Sequence, residues 1–141
     1  MRSYEASETI KATPESIWRV LTDGSGYTRW DSGVDGVDGA IAPGQTITVR
    51  SKAAPGRAFP VKVTEFQPAS RMTWSGGMPL GLFKGVRTFV LRRMDESTTQ
   101  FTVREEYTGP LLVLMWRSMP DLGPSFAQFA RGLKAQAERP T

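Results

Sequence analysis

The 141-residue chain contains neither cysteine nor histidine. Without cysteine it has no disulfides and no thiolate chemistry. Without histidine it lacks the commonest metal ligand and the commonest general base near neutral pH. Zinc sites, Ser-His-Asp triads and Cys-His pairs are therefore excluded, and no cofactor or metal is expected. Long apolar runs are missing too. The longest, Leu111 to Trp116, is far shorter than the ~20 residues that span a bilayer. Met1-Arg2-Ser3-Tyr4-Glu5 leads into polar residues, unlike the apolar core of a secretion signal, so a cytoplasmic protein is expected.

Blocks of like charge are also absent. The net charge is +4, but the basic residues are dispersed, and only Arg92 and Arg93 are adjacent. Arg50, Lys52, Arg57 and Lys62 share a region, yet Pro and Ala separate them and Glu65 follows. This reads as a solvated surface, with no nucleic acid expected as a partner.

What is present fits one domain over residues 1–141. A chain of this length buries about 68–70% of its unfolded surface and needs no staple. Tyr4 to Lys11 alternates as a strand, with Tyr4, Ala6 and Ile10 on one side and Glu8 breaking the pattern. Thr13-Pro14-Glu15 is a helix start, and Ile17, Trp18, Val20 and Leu21 supply the apolar face of a helix that stops at Gly24. A second short helix or turn carries Tyr27 and Trp30. Residues 33–45 read as turns around a short strand.

Strands are expected over Gln45–Lys52, Phe59–Phe66 and Arg71–Ser75, then over Leu82–Met94 and Thr98–Thr108 as a hairpin across Asp95-Glu96-Ser97. Gly76 to Gly81 reads as a flexible, apolar loop. From Pro110 the pattern becomes helical. Leu122, Phe126, Phe129 and Leu133 recur as one stripe. Pro120 and Gly123-Pro124 predict a break before the main helix. The order of strand, two helices, antiparallel strands and long helix is an α+β layout. The sheet has one face to bury and only the last helix is long enough to cover it, so a cavity can remain between them.

These segments resemble the SRPBCC superfamily, which includes START-type lipid-transfer domains, birch-pollen allergen proteins and polyketide aromatase/cyclases. The resemblance rests on Ala12-Thr13-Pro14-Glu15-Ser16-Ile17-Trp18, Val20 to Asp23 and Trp30. It continues through Val63 to Pro68, Met72-Thr73-Trp74, Phe101 to Gly109, Leu133-Lys134 and Ala137-Glu138. It covers nearly the whole chain. It implies a helix-grip fold, a curved antiparallel sheet wrapped around a long C-terminal helix, with two short helices after the first strand. It carries over no universal catalytic residue.

The hairpin gives the sharpest site expectation. Its turn pairs Leu91 with Phe101, Phe89 with Val103 and Arg87 with Glu105, with both charges facing the inside of the sheet. Burying either alone is costly, so an ion pair is expected. It serves either to hold the sheet or to anchor a polar ligand group. Trp30, Trp74 and Tyr107 are candidates for the wall or mouth, as are Phe126 and Phe129 on the helix stripe. Met115 and Met119, with Met72 and Met78, suit a pliable pocket. Met78 to Phe83 is the candidate gate. Gly24-Ser25-Gly26 is no phosphate loop. Asp31 to Gly36 lacks the acids of a calcium loop, so Asp31, Asp35 and Asp38 read as turn residues.

Four functions remain open. The first is binding or transport of a hydrophobic small molecule, a lipid, polyketide or aromatic metabolite, needing a cavity of about 300–1,000 Å³. The second is a metal-free cyclase/dehydratase using Glu105 or Tyr107 with Arg87. The third is a protein-interaction domain of the chaperone-activator kind, which requires a filled core. Nucleic-acid binding ranks last. No part of the pattern specifies an oligomeric state.

Overall fold

The computed structural model describes residues 2–118 and 121–140. Among these, seven strands form one antiparallel sheet in the order β1-β7-β6-β5-β4-β3-β2. They are β1 (Arg2–Ile10), β2 (Val34–Asp38), β3 (Thr46–Ser51), β4 (Phe59–Gln67), β5 (Arg71–Gly77), β6 (Lys84–Arg93) and β7 (Thr99–Thr108). The sheet curls into a half-barrel around the C-terminal helix α3 (Gly123–Ala137), with α1 (Pro14–Thr22) and α2 (Leu112–Ser118) completing the layer. This is the helix-grip arrangement.

Local chemistry sets the elements. Thr13 Oγ1 accepts from the Ser16 amide at 3.2 Å and Pro14 opens α1, a cap whose loss typically costs about 1 kcal/mol. The helix buries Ile17, Trp18 and Leu21. It is followed by a 3₁₀ helix, Gly24–Arg29, which turns Tyr27 inward so that its hydroxyl donates to the Leu21 carbonyl. The β6–β7 hairpin has the expected register: Leu91 faces Phe101, Phe89 faces Val103 and Arg87 faces Glu105. Alternation then fixes the inward set.

Two features differ from the sequence reading. β5 continues through Gly76 and Gly77, which pair with Gly85 and Lys84 of β6. The glycines read as a loop because isolated glycine disfavours strands, but here the neighbouring strands hold the backbone. β6 correspondingly begins at Lys84, and Pro79–Gly81 forms a one-turn 3₁₀ helix. The expected interruption of the C-terminal helix is present between α2 and α3; Pro120 itself lies outside the described residues.

A tightly packed core lies beneath the C-terminal part of α3. Phe129 and Leu133 meet Ile10, Ile17, Leu21, Phe89 and Phe101 in one buried cluster. The approach is close enough that a Cβ on Gly132 would overlap the Asp31 carbonyl. Beyond α3, Glu138 accepts from the Lys11 amide and from Lys134 Nζ, and Lys134 also donates to the Thr9 carbonyl. These bonds fasten the helix end to β1.

Candidate ligand cavity

At the other end of the sheet the layers separate. A cavity of about 510 Å³ opens between the inner face of β3–β7, α2, the first turns of α3 and the segments around residues 53–60 and 76–83. Its lining is mainly apolar, from Val49, Phe59, Val61, Trp74, Phe83, Val103, Met115, Phe126 and Phe129. The space follows from side-chain size. Trp74 and Gly76 alternate on the inner face of β5, and Arg87 and Gly85 on that of β6. The two glycines leave room where a larger side chain would stand.

Of the expected site residues, Trp74, Arg87, Glu105, Tyr107, Met115, Phe126 and Phe129 all meet at this cavity. Met78 and Phe83 of the expected gate also line it. Phe89 lies beneath the wall, with its ring 4.7 Å from that of Trp74 and 5.9 Å from that of Phe129. The register was read correctly, but Trp74 and Phe129 are large enough to cover Phe89. Trp30 packs on Tyr27 and Phe129 and borders a separate groove with Arg19, Arg29 and Gln136. The 3₁₀ helix turns it to the far side of α3. Met119 lies outside the described residues.

The polar centre of the cavity is one ion pair. Arg87 Nε donates to Glu105 Oε1 at 2.8 Å, and the guanidinium lies 4.6 Å above the Phe126 ring. The pair is surrounded by protein, yet 26% of the Arg87 side chain and 16% of that of Glu105 remain accessible. That accessible surface borders the cavity. Burial opposes the Arg87 charge most strongly, but Glu105, Tyr107 and Tyr27 together outweigh it and hold the guanidinium pKa above its usual value. Arg87 is therefore a permanent cation with its Nη atoms free of protein hydrogen bonds among the described residues.

Two further polar atoms adjoin the pair. Trp74 stands directly across from Arg87, and Tyr107 lies two residues after Glu105. Trp74 Nε1 and the Tyr107 hydroxyl are buried and have no well-formed hydrogen bond among the described residues. Burial, reinforced by Glu105, raises the Tyr107 pKa far above the ordinary tyrosine value. Tyr107 therefore stays protonated and serves as a hydrogen-bond donor at neutral pH.

Sequence reasoning missed the residues that shape the space. Gly76 and Gly85 carried the available signal, small residues at inward positions of consecutive strands. Ser32, Gly33, Ala53, Ala54 and Arg57, which border the cavity from connecting segments, carried none, since only tertiary folding brings those segments to the sheet.

A curled antiparallel sheet gripping a C-terminal helix, with a lined cavity between them, is the START-like helix-grip fold. The chain belongs to the family described as polyketide cyclase / dehydrase and lipid transport, whose model matches residues 1–138. Solved structures agree on the fold. An aromatase/cyclase from a Streptomyces superimposes with a TM-score of 0.76 at 16% identity, covering 98% of this chain and 94% of the other. A START superfamily protein from Mycobacterium smegmatis gives 0.71 at 15% identity, covering 96% and 97%. A hypothetical protein from Helicobacter pylori gives 0.78 at 12% identity, covering 97% and 88%. No curated protein matches in sequence.

Proposed function

We propose that the chain binds a hydrophobic small molecule, a lipid, polyketide or aromatic metabolite, between the sheet and the C-terminal helix, and carries it. One observation carries this reading: an apolar cavity of about 510 Å³ containing a single ion pair. Its size falls within the ordinary range for small-molecule sites, which combine apolar walls with a few polar groups that orient the ligand. Arg87 and Glu105 cancel in charge, so the centre of the cavity suits a neutral polar group, while Arg57 adds a cation, unpaired among the described residues, at its border. A ketone or hydroxyl oxygen accepts from Arg87, and a hydroxyl also donates to Glu105. The buried Trp74 donor favours an acceptor nearby, because an unpaired buried donor costs about 1–3 kcal/mol.

The test is native mass spectrometry of the purified protein, followed by extraction under denaturing conditions. A bound small molecule released on unfolding supports the carrier reading. An empty protein that also fails to bind fluorescent apolar probes rejects it.

A second reading, a cyclase or dehydratase acting on a polyketone, draws on the same cluster and on the family. Since Tyr107 remains protonated, Glu105 would be the base and Tyr107 and Arg87 the donors that steady a developing enolate. Turnover of a linear polyketone abolished by Glu105→Gln, with probe binding retained, would favour this reading over simple carriage. The chaperone-activator alternative requires a filled core, and the cavity weighs against it.

A further inference from the structure

The rim of the cavity carries its own surface chemistry. Leu80 is 97% exposed at the tip of the 78–83 loop, and Val113 and Leu114 are 65% and 68% exposed on α2. Met78, Leu82 and Phe59 extend the apolar area. These residues belong together. The Leu111 amide donates to the Leu82 carbonyl at 2.9 Å, joining the loop to the start of α2. Phe59 stands at the beginning of β4, beside the end of β5 from which the loop departs. Leu80 is held at φ 62°, a backbone conformation unfavourable for a leucine, and its side chain projects into solvent.

The outer face of α2 is unusual in the same way. Val113, Leu114 and Arg117 share it by helical spacing, where a surface helix ordinarily presents polar residues. Around this apolar area lie Lys52, Arg57, Lys84 and Arg117, all exposed and none in an ion pair among the described residues. The segments that carry these rim residues, 52–59, 78–84 and 111–118, contain no aspartate or glutamate.

We infer that this rim docks on an anionic lipid bilayer surface. Exposed leucines flanked by unpaired basic residues enter the headgroup layer, with the cations remaining at the level of the phosphates. The absence of acids in three separate rim segments supplies the charge complementarity. The apolar tip supplies the insertion. Because the loop and α2 flank the opening, the same contact places the cavity mouth against the membrane. The inference does not depend on what the cavity holds.

Flotation of the full chain with vesicles tests it. The protein should float with phosphatidylcholine vesicles containing phosphatidylglycerol, float weakly with phosphatidylcholine alone, and be released as salt rises. Lys84→Gln and Arg117→Gln should each weaken partitioning about fivefold. Leu80→Asp combined with Leu114→Asp should abolish flotation while leaving the thermal melt nearly unchanged, since both side chains are exposed. A measurement free of that variant uses Leu80→Cys, the only thiol in the chain, carrying an environment-sensitive dye. Its emission should shift to the blue on vesicles containing phosphatidylglycerol. No flotation with those vesicles, or no emission shift, overturns the inference. So does a salt-independent self-association that Leu80→Asp with Leu114→Asp removes, which would make the rim an interface between two copies.

Discussion

The same strands make two different interiors. Toward the α1 end, β5–β7 present Met72, Phe89, Leu91, Phe101 and Val103, all buried, and α3 answers with Phe129, Ala130 and Leu133. Toward the α2 end, their inner face carries Gly76, Gly85, Arg87, Glu105 and Tyr107, and a cavity lies above them. Backbone geometry and register are continuous between the two. The difference lies in side-chain volume and charge, together with the break that separates α2 from α3. One end is a core closed by aromatic and aliphatic bulk. The other is held open by two glycines and an ion pair too costly to cover with hydrocarbon.

The largest effect should come from the residue shared by both regions. Phe129 touches Tyr27, Trp30, Phe89 and Phe101 with ring separations of 5.3 to 6.2 Å and also lines the cavity. Phe129→Ala should destabilise the chain by about 3–5 kcal/mol, measured by urea denaturation, because the site cannot collapse around the lost ring. A much smaller loss would mean that the packed end already has slack and that the contrast is one of degree.

Next is the ion pair. Arg87→Met leaves the Glu105 carboxylate without its cation and should cost about 1–3 kcal/mol, moderated because both side chains border the cavity. Arg87→Met with Glu105→Leu should recover most of that loss, since removing both charges also removes the desolvation cost. Calorimetry on both variants distinguishes the two outcomes. If the anchor role holds, both lose affinity for a ligand with a polar end and keep affinity for a purely apolar probe. Unchanged affinity in folded Arg87→Met rejects that role.

Gly85→Val sharpens the comparison by filling the open end. A Cβ there would sit 3.3 Å from Glu105 Oε2, held by Arg87, and 3.4 Å from the packed Tyr107 ring, so both must give by a few tenths of an ångström. Stability should fall by no more than about 1–3 kcal/mol, since a β-branched residue suits a strand and the cavity can take the added methyl groups. Binding of an apolar fluorescent probe should fall about tenfold or more. Unaltered binding would place the probe outside this cavity.

The smallest effect concerns the fastening at the closed end. The Lys11 amide, and after it Lys134, hold the Glu138 carboxyl below its ordinary pKa. A depressed folded-state pKa contributes stability at neutral pH that is lost as pH falls below the usual carboxylate value and through the folded one. Glu138→Gln should lower the melting temperature slightly at pH 7 and converge with the parent in acid. A constant gap across that range would show that shape and not charge accounts for the contact.

Much of the frame was legible from residues alone. Thr13-Pro14 marked the start of α1, the Asp95-Glu96-Ser97 turn set the β6–β7 register and so placed Arg87 opposite Glu105, and Gly123-Pro124 marked the start of α3. These signals are local: a cap, a turn length and a missing amide proton act within a few residues. The lining was only partly legible. Alternation puts Phe89 and Trp74 on the inner face but does not say which of them covers the other. The spacing of Trp30 does not reveal which side of α3 it will reach.

The sequence by itself determined the order of elements, the inward set of each strand and the absence of thiol and imidazole chemistry, because these depend on residue identity and short-range geometry. Tertiary structure alone decided that Gly76 and Gly85 stand at one end of the sheet with Arg87, Glu105 and Tyr107 beside them. It also decided that α2 and the 78–83 loop meet at the mouth with Leu80 and Leu114 outward. An empty volume belongs to no residue. It appears only when surfaces distant in the chain approach and fail to fill the space between them.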